Sequence, residues 1–188
     1  ENTVTFFALG AGTSISRERY DMTSMYIGAL GEAVFLTGDD AGRQSFLDGD
    51  MLIVPGGTLC GVESGSGAVY TEIIIKKEIN MNNLVKAGEV MKLKNLIQYE
   101  EGSISNLDIV SNPTMKFVLM AFDEGTGLQP HRAPGNAIIF ALEGKAVIGY
   151  EGKDYTISAG ENFRFEKNGL HSVTADGKFK MALLLVIE

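Results

Sequence analysis

With 188 residues, a net charge of −8, 45% hydrophobic and 21% charged residues, the chain has a globular balance and room for one large domain or two small ones. The acidic excess argues against nucleic acid and anionic membrane as partners, and no apolar run approaches the ~18 residues of a membrane span. A single cysteine, Cys60, excludes an intramolecular disulfide and fits a reducing compartment, so a cytoplasmic location is expected; Glu1-Asn2-Thr3 does not resemble a signal peptide.

Taken in order, the chain reads as short strands separated by turns. Thr3–Leu9 is β-branched and aromatic, and Gly10-Ala11-Gly12 ends it. Apolar runs follow at Met25–Gly31 and Ala33–Leu36, with turns at Thr37–Gly42 and Asp48–Asp50. Met51–Val54 is a short buried-type strand broken by Pro55-Gly56-Gly57, and Ala68–Ile75 closes the first half. Within Ile79–Leu96, Leu84–Ala87 is expected to form a helical turn stopped by Gly88. Basic residues are sparse: Lys76-Lys77 and Lys92–Lys94 are too short for a basic stripe. Met115–Phe122 starts a second series of strands.

That second series repeats the first. Shifted by 113 residues, Thr3–Leu9 falls on Lys116–Phe122, Gly12 on Gly125, Arg19 on Arg132 and Gly31 on Gly144. After a two-residue slip in a hairpin loop, Gly49 falls on Gly160 and Leu59 on Leu170. One supersecondary plan is used twice. The expected domains are residues 1–78, a connector with added strands over 79–112, and residues 113–188.

The spacing resembles the cupin superfamily. Its first motif opens on Gly, presents His-x-His and a Glu, and closes on Gly; its second runs Gly, Pro-x-Gly, His, Asn. In the second half Gly125, His131 and Gly144 fit the first motif, with Ala133 and Ala137 at its second His and its Glu. Gly160 and His171 fit the second, with Glu166, Asn168 and Ala175 at its Pro, Gly and Asn. In the first half Gly49, Pro55 and Gly57 fit the second motif with Cys60 at its His, while Glu18, Tyr20 and Ser24 take the ligand positions of the first. The resemblance implies an all-β protein of two tandem double-stranded β-helix barrels, jelly-roll-like, joined here by the short helical connector.

A complete motif set would build an open site for a divalent metal. This chain keeps two of four ligands, His131 and His171, so the resemblance implies at most a weakly held Fe, Mn, Ni or Zn. By strand alternation Gln129, His131 and Ala133 share a face. With Ala133 and Ala137 leaving space, a small organic ligand is expected on His131, His171, Gln129 and Asn136, walled by Phe140, Phe163 and Phe165. The alternatives are two histidines paired without a ligand, and a metal-dependent isomerase, lyase or dioxygenase. The catalytic residues, if any, stay unknown. In the first half no histidine is available to activate Cys60, so Glu18, Tyr20 and Cys60 are expected to be structural. Both a homodimer, as is common among cupins, and a monomer stay open.

Overall fold

The computed structural model describes residues 3–75 and 80–187, which form two compact units: 3–75 with 83–92, and 80–82 with 93–187. The boundary expected at 78/79, like Lys76-Lys77, lies outside the described residues. The first unit is built from β1 (Thr3–Leu9), β2 (Thr13–Arg19), β3 (Thr23–Thr37), β4 (Gly42–Leu47), β5 (Asp50–Val54), β6 (Leu59–Ser64) and β7 (Ala68–Ile75). The short β8 (Asn80–Met81) pairs into the second unit and β9 (Met91–Lys92) into the first. The second unit continues with β10 (Ile104–Asn112), β11 (Met115–Phe122), β12 (Gly127–Arg132), β13 (Asn136–Tyr150), β14 (Lys153–Ser158), β15 (Asn162–Phe165) and β16 (Leu170–Val186).

In the first unit the strand path is β1-β7-β3-β5-β9, with β4 and β6 also on β3 and β2 on β6. In the second it is β14-β13-β16-β11-β10-β8, with β15 on β13 and β12 on β16. The repeat is therefore physical. Strands β3 and β13 are both 15 residues long and lie 113 residues apart at each end. The 17-residue β16 runs unbroken where the first unit breaks into β6 and β7.

Each unit curls its alternating apolar positions onto one core. Ala33, Phe35, Tyr26 and Tyr70 pack together in the first, and Ala146, Ile148, Ile139 and Met181 in the second. The tight crossing that lets β3 and β13 bend depends on Gly31 and Gly144, at φ 73° and 76°. A Cβ at either would run into the backbone carbonyl of Gly67 or Lys178.

The expected helical connector is absent. Leu84–Ala87 forms turns, and the one helical turn among the described residues is the 3₁₀ segment Leu93–Asn95. A four-residue stretch before glycine cannot repay helix nucleation, and its surroundings find other partners. The Gly88 N–H donates to the Ile53 carbonyl at 2.8 Å, and the Gln44 side chain bonds both the Gly88 carbonyl (2.7 Å) and the Val90 N–H (3.0 Å). No helix among the described residues is long and apolar enough to cross a membrane.

Candidate functional site

The two histidines meet. Strand β12 lies antiparallel to β16 with Leu128 opposite Val173 and His131 opposite His171. Between these pairs two residues of β12 face one of β16, which is a β-bulge. Pro130 sits in it, where a residue without an N–H forfeits no ladder bond. The bulge overturns the simple alternation. Leu128, not Gln129, shares the inner face with His131 and packs against the core, whereas Gln129 is exposed. Gln129 serves the site through its backbone: its carbonyl accepts a hydrogen bond from His131 Nδ1 at 2.8 Å.

The imidazole centroids lie 4.3 Å apart at 54°. His171 is 7% exposed and stacks on Phe165 at 4.2 Å and 25°. Its Nδ1 donates to the Gly169 carbonyl at 2.9 Å. A carbonyl oxygen can only accept, so Nδ1 carries the proton on both rings. In the neutral ring Nε2 then holds the free lone pair. Burial pushes the His171 pKa below its ordinary value; the hydrogen bond to Gly169 opposes this, and the neighbouring His131 adds to it.

The remaining expected residues are placed unequally. Phe163 and Phe165 lie beside the pair, in an aromatic cluster with Tyr150 and Tyr155 whose centroids are 5.2–5.8 Å apart. Phe165 is part of the buried core and Phe163 packs against it. Asn136 spends its Oδ1 on the Lys167 N–H at 3.1 Å and pins a turn. Phe140 is buried, but β13 turns Ala137, Ile139 and Ala141 to the core cluster and Phe140 to the other face, away from the histidines. The space beside His171 is a cavity of about 240 Å³, lined by Pro130, Tyr150, Lys153, Asp154, His171 and Ser172 among others. Tyr150 is the residue that sequence reasoning missed. Its signal was its alternation with Ala146 and Ile148; its place opposite His171 depends on a pairing 21 residues away.

As a metal site the donor set is poor. Ala133 and Ala137 are buried where the family motif has ligands, and no group of three or more His, Cys, Asp or Glu side chains suited to a metal occurs among the described residues. Two imidazoles do not fit a tightly held resident metal.

The first unit repeats the geometry with other chemistry. The same bulge separates Ile15 opposite Val62 from Glu18 opposite Cys60. The Tyr20 hydroxyl donates to Glu18 at 3.1 Å. Arg19 donates to the Gly57 carbonyl at 2.6 Å, as Arg132 donates to that of Asn168. Asn168, at φ 62°, keeps the left-handed turn of Gly57 at φ 78°. Burial pushes the Cys60 thiol up to about 11, so it stays protonated.

In each unit two glycine-bracketed segments are brought together on an antiparallel barrel, and residues 118–187, in the second, match the Cupin domain family. Over 98% of its length the chain is similar to a Cupin 2 conserved barrel domain protein from Leptotrichia buccalis, with TM-score 0.84, 24% identity and 83% of that chain covered. It is also similar to the salicylate 1,2-dioxygenase from Pseudoaminobacter salicylatoxidans in its adducts with gentisate, with TM-score 0.73, 10% identity, and 98% and 68% of the two chains covered. A conserved protein of unknown function from Streptococcus pyogenes aligns with 60% of this chain and 98% of its own, at TM-score 0.55 and 20% identity. At these identities the likeness is one of fold. No curated protein matches the sequence.

Proposed function

We propose that the second barrel binds a small organic ligand on His131 and His171, without turning it over. The observation that carries this reading is the tying of both Nδ1 atoms to backbone carbonyls, which turns two adjacent Nε2 lone pairs into a ready acceptor pair. A cavity of about 240 Å³ lined by His171, with Pro130 next to His131 on its wall, supplies the space, and Tyr150, Lys153, Asp154 and Ser172 supply further polar groups. The ligand class is a compact molecule with O–H or N–H donors. Loss of one imidazole–ligand hydrogen bond is worth about 0.5–1.5 kcal/mol, so His131→Ala or His171→Ala weakens binding roughly 3- to 10-fold.

The competing reading is a metal-dependent two-barrel enzyme using the same histidines. Free Nε2 atoms with anchored Nδ1 atoms are also how metal-binding histidines are prepared, and one structural neighbour is a dioxygenase. Metal content, measured together with native mass spectrometry on protein purified without chelators, separates the two. Our reading predicts metal far below one ion per chain and an organic molecule lost in the His131→Ala/His171→Ala variant. Near-stoichiometric iron, manganese, nickel or zinc, lost in that variant, supports the competing reading and overturns ours.

A further inference from the structure

The first barrel is not merely a degenerate copy, because its largely apolar core leaves a cavity with a carboxylate on its wall. Beside Cys60 lies a cavity of about 80 Å³, lined among others by Phe7, Tyr20, Tyr26, Cys60, Tyr70 and Glu72. The rings form a connected wall: Phe7 stacks on Tyr70 at 5.2 Å, and Tyr70 meets Tyr26 edge-on at 6.0 Å. Glu72 is half-buried and held in place, with its Oε1 accepting the Tyr26 hydroxyl at 2.8 Å. Among the described residues Glu72 has no ion-pair partner, and no Lys, Arg or His lines the cavity. Arg17, on β2, is outside the lining and donates from its Nη2 to the Gly38 carbonyl, although its charge still reaches Cys60. The second barrel has nothing comparable: Tyr26 corresponds to Ile139 at the 113-residue offset, and Tyr70 and Glu72 to Met181 and Leu183 at the 111-residue offset.

A carboxylate drawn out of water calls for a counter-charge. Aromatic faces attract cations, more strongly when both are desolvated. A chain of net charge −8 favours their approach. The cavity has the volume of roughly three waters, which suits an ammonium head with few carbons and excludes a large ligand. We propose that the first barrel binds a small organic ammonium ion between the Glu72 carboxylate and the rings of Tyr20, Tyr26 and Tyr70. Burial raises the Tyr26 hydroxyl and Cys60 thiol pKa values, so both stay neutral and leave Glu72 as the charge that selects the ligand. The site is a binding site; burial keeps the Cys60 thiol protonated, and no covalent step is involved.

The test is a titration of the 188-residue chain with tetramethylammonium chloride at constant ionic strength, read by tyrosine fluorescence, which no tryptophan masks. Tert-butanol serves as the neutral comparator. We expect saturable binding of the ammonium ion, at least tenfold weaker binding in Glu72→Gln, and no change in His131→Ala. Glu72→Gln keeps an acceptor for the Tyr26 hydroxyl and is expected to fold. If it does not, Tyr20→Leu, at an exposed ring, decides instead with at least a threefold loss. An unsaturable response, equal binding of tert-butanol, or unchanged affinity in the folded variant overturns the proposal.

Discussion

In the first barrel, Tyr26, Tyr70 and Glu72 line a cavity; in the second, Ile139, Met181 and Leu183 take their places and Phe165 stacks on His171. The backbone beneath is the same. Both barrels bulge at the same place, bond an arginine to the same turn and bend a 15-residue strand at the same glycine. Framework and chemistry have thus diverged separately. The backbone plan tolerates either a carboxylate beside an aromatic-walled cavity or a histidine pair stacked on a phenylalanine.

The strongest challenge to a common framework is Gly31→Ala against Gly144→Ala. Both positions are left-handed and both face a backbone carbonyl, so each variant should lose about 2–4 kcal/mol in urea unfolding. A large loss in one barrel and none in the other would break the equivalence.

Exchange of the fillers sharpens the contrast. Val54 occupies the first barrel's counterpart of Phe165. Phe165→Val should cost about 2–4 kcal/mol, since a fully buried ring leaves a void, and should free His171 from its stack. Val54→Phe should overpack the first barrel by about 1–3 kcal/mol. Unfolding midpoints check both.

A smaller effect distinguishes the barrels by pH. His171 is buried neutral, so its folded pKa lies below the ordinary 6.5 and the unfolded chain takes up the proton first as pH falls. Its contribution to stability is complete above about pH 6.5 and is lost as pH drops through the folded value. Melting temperatures between pH 8 and 5 should fall more steeply in the parent than in His171→Gln. Parallel curves would show that His171 is not buried in its neutral form.

Much of this was legible in the residues. Turn glycines at matching offsets exposed the duplication, because a left-handed backbone position leaves a mark that substitution seldom erases. Asn168 shows the limit: it preserves the turn of Gly57 while hiding the motif. The pairing of His131 with His171 was readable from the motif frame. What lay around them was not. Strict alternation put Gln129 on the inner face, and the bulge at Gln129-Pro130 moved Leu128 there instead. Phe140 was assigned inward when its strand turns Ile139 and Ala141 to the core. Tyr150 and the aromatic wall of the first barrel depend on pairings between distant strands, which no local pattern encodes. The helical turn at Leu84–Ala87 failed because Gln44, forty residues earlier, takes up the backbone groups near Gly88.

The central claim is that the two imidazoles of the second barrel present Nε2 as acceptors. Long-range proton–nitrogen NMR of the histidine side chains near pH 7.5 tests it directly, since the chain has only two. The account predicts that each ring, when neutral, carries its proton on Nδ1, with His171 titrating below 6.5. A proton on Nε2 of either ring, or signals that change only on removal of a stoichiometric metal, would contradict it.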